Sequence, residues 1–215
     1  MRRILAMGGS VPRLDELLLE LGGPRVSFVP TATGDSETML LRFYERFGER
    51  AQASHVLFHP WPRPDLREHV LSQDAIYVGG GNTANMLAIW RVHGFDAILR
   101  EAWEAGVLLA GWSAGMICWF EAGVTDSFGP QLEGMRDGLG FLGGSACPHY
   151  DGEERRRPVY THLVRDGFPA GVAADDGVAL LYEGTELREV LSARDGATAY
   201  RVTAEGEERL EARRV

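Results

Sequence analysis

The chain reads as an α/β protein built on a mostly parallel sheet covered by helices on both faces, with antiparallel strands toward the C-terminal end. Three observations predict this. Short apolar runs that close in glycine or polar turns alternate with amphipathic stretches over the first two thirds, which is the pattern of βαβ units. Those apolar runs lack strict polar alternation, as suits strands buried on both sides. Beyond Ala170 the segments shorten and are separated by Asp176-Gly177, Glu183-Gly184, Asp195-Gly196 and Glu205-Gly206, dipeptides suited to tight turns between antiparallel neighbours.

Taken in order, the predicted strands are Ile4–Met7, Arg25–Val29, Ser54–Phe58, Ala75–Val78 and Val107–Ala110. Between them Arg13–Leu21, Ser36–Phe47, Asp65–Ser72, Thr83–Val92 and Phe95–Ala105 carry apolar residues at three- and four-residue spacing, the mark of helices with one buried face. At 215 residues the chain suits one domain over residues 1–215. The apolar run at the N-terminus is ended by Gly8-Gly9, too early for a signal peptide, and no stretch approaches the ~20 apolar residues of a membrane span.

Composition narrows the function classes. With 22 Lys and Arg against 31 Asp and Glu the formal net charge is −9, a surface that repels phosphate backbones and argues against nucleic-acid or membrane-surface partners. Two cysteines, Cys118 and Cys147, are too few for a disulfide framework and read as buried thiols in a reducing compartment, so a cytoplasmic location is expected. No His/Cys/Asp cluster has metal-ligand spacing, and neither metal nor cofactor is expected. A homo-oligomer such as a dimer is a base-rate expectation.

The most informative stretch is Gly111-Trp112-Ser113-Ala114-Gly115, a Gly-x-Ser-x-Gly between a buried strand and the apolar Met116–Phe120, expected to be helical. That setting is a nucleophile elbow: a sharp turn pushes the serine hydroxyl out at the carboxyl edge of the sheet, and small flanking residues keep the turn free of clashes. The N–H of Ala114 would then face an oxyanion formed on an acyl substrate. A second glycine turn, Gly79-Gly80-Gly81-Asn82-Thr83, follows another buried strand, and parallel strands bring both turns to one edge. Gly80 or Gly81 could therefore supply a second N–H to the same oxyanion. Asn82 is a candidate for substrate contact, or else the cap of the next helix.

A serine needs a base, most often histidine. Of six histidines, His55, His59, His69 and His93 lie on early strands or helices. His149, in Ala146-Cys147-Pro148-His149-Tyr150-Asp151, sits where an apolar segment gives way to a polar one, which a sheet-edge loop would place beside the elbow. His162 is the reserve. Asp126, between nucleophile and base, is the first choice for the acid that orients the imidazole; Asp151, Glu133 and Glu121 stay open, because a triad is defined by geometry rather than spacing.

Together Gly79–Thr83, Gly111–Gly115 and Pro148-His149 resemble the aspartyl dipeptidase or peptidase E family of serine peptidases, related to the cyanophycinases, over roughly residues 1–185. The resemblance implies a fold like that of class I glutamine amidotransferases, Ser113 as nucleophile, His149 as base, no cofactor, and short peptides as substrates, dipeptides with N-terminal aspartate foremost. The family's catalytic acid shortly after the nucleophile matches Asp126 with a small shift. Its arginine downstream of the histidine, which holds the acidic side chain, has its nearest match in Arg155, the first of three consecutive arginines that fan around a helix. Two alternatives stand beside this: a cyanophycinase-like or broader peptide hydrolase, and a non-catalytic relative that keeps the pocket for binding.

Overall fold

The first strand, β1 (Arg3–Met7), is buried on both faces and becomes the axis of an eight-stranded sheet. The computed structural model describes all 215 residues. In chain order there follow α1 (Pro12–Gly22), β2 (Arg25–Val29), α2 (Glu37–Phe47), β3 (Gln52–His55), α3 (Leu66–Leu71), β4 (Ala75–Val78), α4 (Thr83–Val92), α5 (Phe95–Ala105), β5 (Leu108–Trp112) and the single-turn α6 (Ala114–Ile117). The second half comprises β6 (Phe120–Thr125), β7 (Glu133–Met135), β8 (Leu142–Cys147), α7 (Arg156–Arg165), β9 (Gly171–Ala174), β10 (Val178–Glu183), β11 (Glu186–Ser192), β12 (Ala199–Thr203), β13 (Gly206–Arg209) and β14 (Arg213–Arg214).

The main sheet runs β14-β11-β10-β1-β5-β4-β2-β3, and its five strands from β1 to β3 are parallel. Alternate residues of the central strands face opposite layers. Leu5, Met7, Phe28, Tyr77 and Ala110 pack with Leu14, Leu17 and Leu18 of α1 and with Phe43 and Phe47 of α2. Ile4, Ala6, Ile76, Val78 and Leu109 pack on the other side with Met86, Leu87 and Trp90 of α4 and with Phe95, Leu99 and Trp103 of α5. Each such leucine, fully buried, contributes roughly 1.5–3 kcal/mol relative to exposure. No helix is long and apolar enough to cross a membrane.

The α/β class, the parallel sheet and the two helical layers are as the sequence predicts, and α4 and α5 occupy the predicted residues. Three elements differ. β3 ends at His55 because Asp35 Oδ2 accepts the N–H groups of Phe58 and His59 at 2.6 and 2.8 Å and draws the chain off the sheet edge. The apolar run after the elbow is helical for only one turn. Every residue from Ala114 to Phe120 is buried, so the segment has no wet face to set a helical stripe; it crosses the core and starts a second sheet.

That second sheet, ordered β13-β12-β9-β8-β6-β7, was not expected. It packs against α7 through Ala122, Val124, Cys147, Tyr160 and Val164. The C-terminal strands are therefore split: β10 and β11 extend the main sheet antiparallel beyond β1, whereas β12 and β13 form a hairpin in the second sheet. Both cysteines are free and buried, and burial pushes the Cys147 thiol up to about 12.

Candidate active site

Three segments distant in sequence meet at the carboxyl end of β1. The carbonyl of Met7 accepts the N–H of Ser113 at 3.2 Å, that of Gly8 accepts the N–H of His149 at 3.3 Å, and that of Gly9 accepts the N–H of Gly177 at 3.1 Å. Consecutive carbonyls of one strand end thus anchor the elbow, the histidine loop and the loop that carries Asp176. A Cβ on Gly9 would stand 2.0 Å from Asp176 Oδ1 and 3.3 Å from His149 Nδ1, so glycine is what lets the strand end come this close.

Ser113 has φ 57° and ψ −113°, a backbone conformation costing about 1–3 kcal/mol in a residue with a side chain and concentrated at functional sites. The turn is held by close approach: a Cβ on Gly115 would lie 2.4 Å from the carbonyl oxygen of Val78. Because α6 is one turn long, a helix macrodipole adds little, and the local N–H groups carry the electrostatics. The N–H of Ala114 has no acceptor within the protein, nor has that of Gly80. The glycine turn lies against the elbow, since a Cβ on Gly80 would be 3.1 Å from Ser113 Cβ and 2.9 Å from Trp112 Nε1.

His149 also has positive φ, 53°. Its Nδ1 lies 2.6 Å from Asp176 Oδ1, with the two side chains 21% and 33% exposed. This pairing assigns the Nδ1–H tautomer and leaves Nε2 free to accept a proton. Behind it Asp151 Oδ1 accepts the N–H of Asp176 at 2.8 Å, while Arg194 donates to Asp151 Oδ2 at 2.5 Å. Asp151 therefore positions the acid rather than the imidazole. His149 and Asp176 line one end of a cavity of about 460 Å³ whose walls include Phe28, Phe43 and Trp112.

Asp126 is not the residue on His149, which corrects the sequence expectation. It is exposed in the loop after β6 and lines a separate shallow hollow with Pro130, Glu153, Glu154 and Arg155. Glu121 accepts the N–H of Gly144 and Glu133 is exposed on β7, so neither reaches the imidazole. His162 lies exposed on α7. Asn82 uses both ends of its amide within the chain: Oδ1 accepts the N–H of Asn85 and caps α4, and Nδ2 donates to the Ser127 carbonyl at 2.9 Å. Both ends of its amide thus tie the 125–130 loop to the glycine turn and cap α4.

Of the three arginines, Arg156 is buried and donates to the Val124 carbonyl at 2.7 Å, and Arg157 pairs with Glu207. Arg155, exposed at the edge of the hollow, donates only to the Pro130 carbonyl, at 3.3 Å. No three His, Cys, Asp or Glu side chains converge in a way that could hold a metal ion.

A strained serine turn at a parallel sheet edge, beside free amides and with a histidine–carboxylate pair anchored on the neighbouring peptides, is the framework of a hydrolytic enzyme of the α/β class. The chain belongs to peptidase family S51, whose model matches residues 5–190, and it is a peptidase. It is 50% identical to the uncharacterized peptidase YgaJ of Bacillus subtilis over 94% of this chain and 92% of that protein. It is 30% identical to Peptidase E of Shewanella denitrificans over 59% and 57% of the respective chains. The fold is also that of a crystal structure of a peptidase from an acI-B1 Actinobacterium, with TM-score 0.68, 18% identity, and 98% of this chain and 94% of that one covered.

Proposed function

We propose that the protein hydrolyses short peptides, preferentially dipeptides with N-terminal aspartate, by a serine mechanism in which Ser113, His149 and Asp176 act together. The observation that carries this reading is the anchoring of all three segments on the successive carbonyls of Met7, Gly8 and Gly9. Ser113 Oγ attacks the scissile carbonyl carbon while His149 Nε2 takes the hydroxyl proton, and Asp176 stabilises the imidazolium that results. The oxyanion is received by the N–H groups of Ala114 and Gly80, with Gly81 shaping the same turn.

Collapse breaks the C–N bond, and the departing amine takes the proton from His149. Water then attacks the acyl-serine, giving its proton to His149, and the ester bond breaks to return Ser113. The hydrogen bond between the Ser113 hydroxyl and His149 Nε2 that the first attack needs is one that tightens in the Michaelis complex.

Support for an acidic first residue comes from the Peptidase E relatives and from Arg155, which has no carboxylate partner and lies in the hollow bordering the loop docked on the glycine turn. The test is Ser113→Ala, assayed on a panel of dipeptides together with its thermal unfolding. Loss of hydrolysis with an unchanged melting transition is expected, and turnover at the wild-type rate would refute the mechanism.

A further inference from the structure

Helix α2 lines the cavity with Met39, Arg42, Phe43, Arg46 and Phe47, residues at three- and four-residue spacing, and His149 and Asp176 line the same cavity. Two arginines on an otherwise apolar stripe require a reason. Arg46 has one, the buried carboxylate of Asp15, which also accepts a hydrogen bond from the Tyr77 hydroxyl at 2.7 Å. Arg194, across the cavity, is held by Asp151. Arg42, exposed to solvent and lining the cavity, makes no hydrogen bond, ion pair or ring contact within the chain, although a guanidinium offers five donors.

The side of the scissile bond that faces this cavity follows from the chemistry. His149 returns its proton to the leaving amine, so the leaving residue lies on the imidazole side of the bond. His149, Trp112 and Arg42 line one and the same cavity, whereas Arg155 and its hollow lie at the docked 125–130 loop. In a dipeptide the leaving residue carries a free α-carboxylate one carbon from its amine. We propose that this cavity is the leaving-residue subsite and that Arg42 binds the terminal carboxylate there, with the apolar side chain of the leaving residue against Phe43 and Met39. The proposal rests on the serine mechanism above and deepens it: the enzyme would measure peptide length by a free C-terminus.

The experiment compares kcat/KM for aspartyl-leucine and for its C-terminal amide in the wild type, Arg42→Ala, Arg42→Lys and Ser113→Ala. The ratio of acid to amide is expected to fall about tenfold or more in Arg42→Ala, the worth of one charge-assisted hydrogen bond. The loss should appear mainly in KM and be partly restored by lysine. An acid-to-amide ratio that does not move in Arg42→Ala overturns the assignment, whether both substrates fall together or neither does. Ser113→Ala separates the two readings: hydrolysis persisting in that variant defeats the serine mechanism itself, while its loss beside an unmoved ratio defeats the role of Arg42 alone.

Discussion

Replacing Asp176 by asparagine keeps the size of the side chain and removes the charge that faces His149 Nδ1 across 2.6 Å. On the proposed mechanism the carboxylate matters most when the imidazole has taken the serine proton. With the two charge centres roughly 4 Å apart and an effective dielectric of about 20, their attraction is about 4 kcal/mol, or about three decades in rate at 1.36 kcal/mol per decade. The pair is partly open to solvent, at 21% and 33% exposure. That moves the expectation toward a loss of roughly 100- to 1000-fold in kcat/KM. The assay is steady-state dipeptide hydrolysis by purified variants, with thermal unfolding to show that the fold persists. Asp126→Asn is the companion, since Asp126 is exposed and bonded to no imidazole, and it should lose less than about tenfold. The reasoning fails if Asp176→Asn keeps more than about one tenth of wild-type activity, or if Asp126→Asn falls as far.

Gly9→Ala tests the same pairing from the backbone. The new Cβ would meet Asp176 Oδ1 at 2.0 Å, so the partly exposed carboxylate must swing away from His149; kcat/KM should drop about tenfold or more with little change in melting temperature. A variant with full activity would show that the carboxylate is not held where it works. Asp74 offers a stability test far from the site. Arg25 donates to it from the main chain and twice from its guanidinium, and the side-chain bonds hold the carboxyl below its ordinary value. A lowered carboxyl binds fewer protons folded than unfolded, so its contribution is present above pH ~3.9 and is lost as the pH falls through the folded-state value. Arg25 is half exposed, so the discounted cost of Asp74→Asn at pH 7 is about 0.5–1 kcal/mol by urea unfolding, with the gap to wild type shrinking near pH 3. An equal gap at both pH values would refute the charge as its source.

The parts of the molecule legible in the sequence are those with strong local signals. β1, β2 and β4 follow from short unbroken apolar runs, because both their faces are covered, and the helices over 83–92 and 95–105 follow from periodicity, because each buries one face against the sheet. The elbow and the glycine turn were legible because their chemistry needs small residues in a fixed order. The second sheet was not: its strands are rich in glycine and alanine, as in Leu142-Gly143-Gly144-Ser145-Ala146-Cys147, and carry little β-branched or aromatic signal.

Asp176 was hidden in plain view as half of an Asp-Gly turn. The strand that follows it pairs antiparallel with β1, with Ala179 opposite Met7, so the start of that strand must lie where β1 ends. Knowing that pairing would have selected Asp176 over Asp126, but pairing partners are non-local and the sequence alone is silent on which sheet a late strand joins. At Asn82 the helix cap that the sequence offered is the one made, through Oδ1 and the N–H of Asn85.

The row of carbonyls at Met7, Gly8 and Gly9 works as a common jig. Because each segment is clipped to the next peptide where β1 ends, the spacing between them is a property of backbone repeat distances rather than of the lengths of chain that connect them. Lengthening the surface connections between α1 and α5 would therefore leave the alignment of nucleophile, base and acid intact. A change to the two glycines at the strand tip would disturb base and acid together.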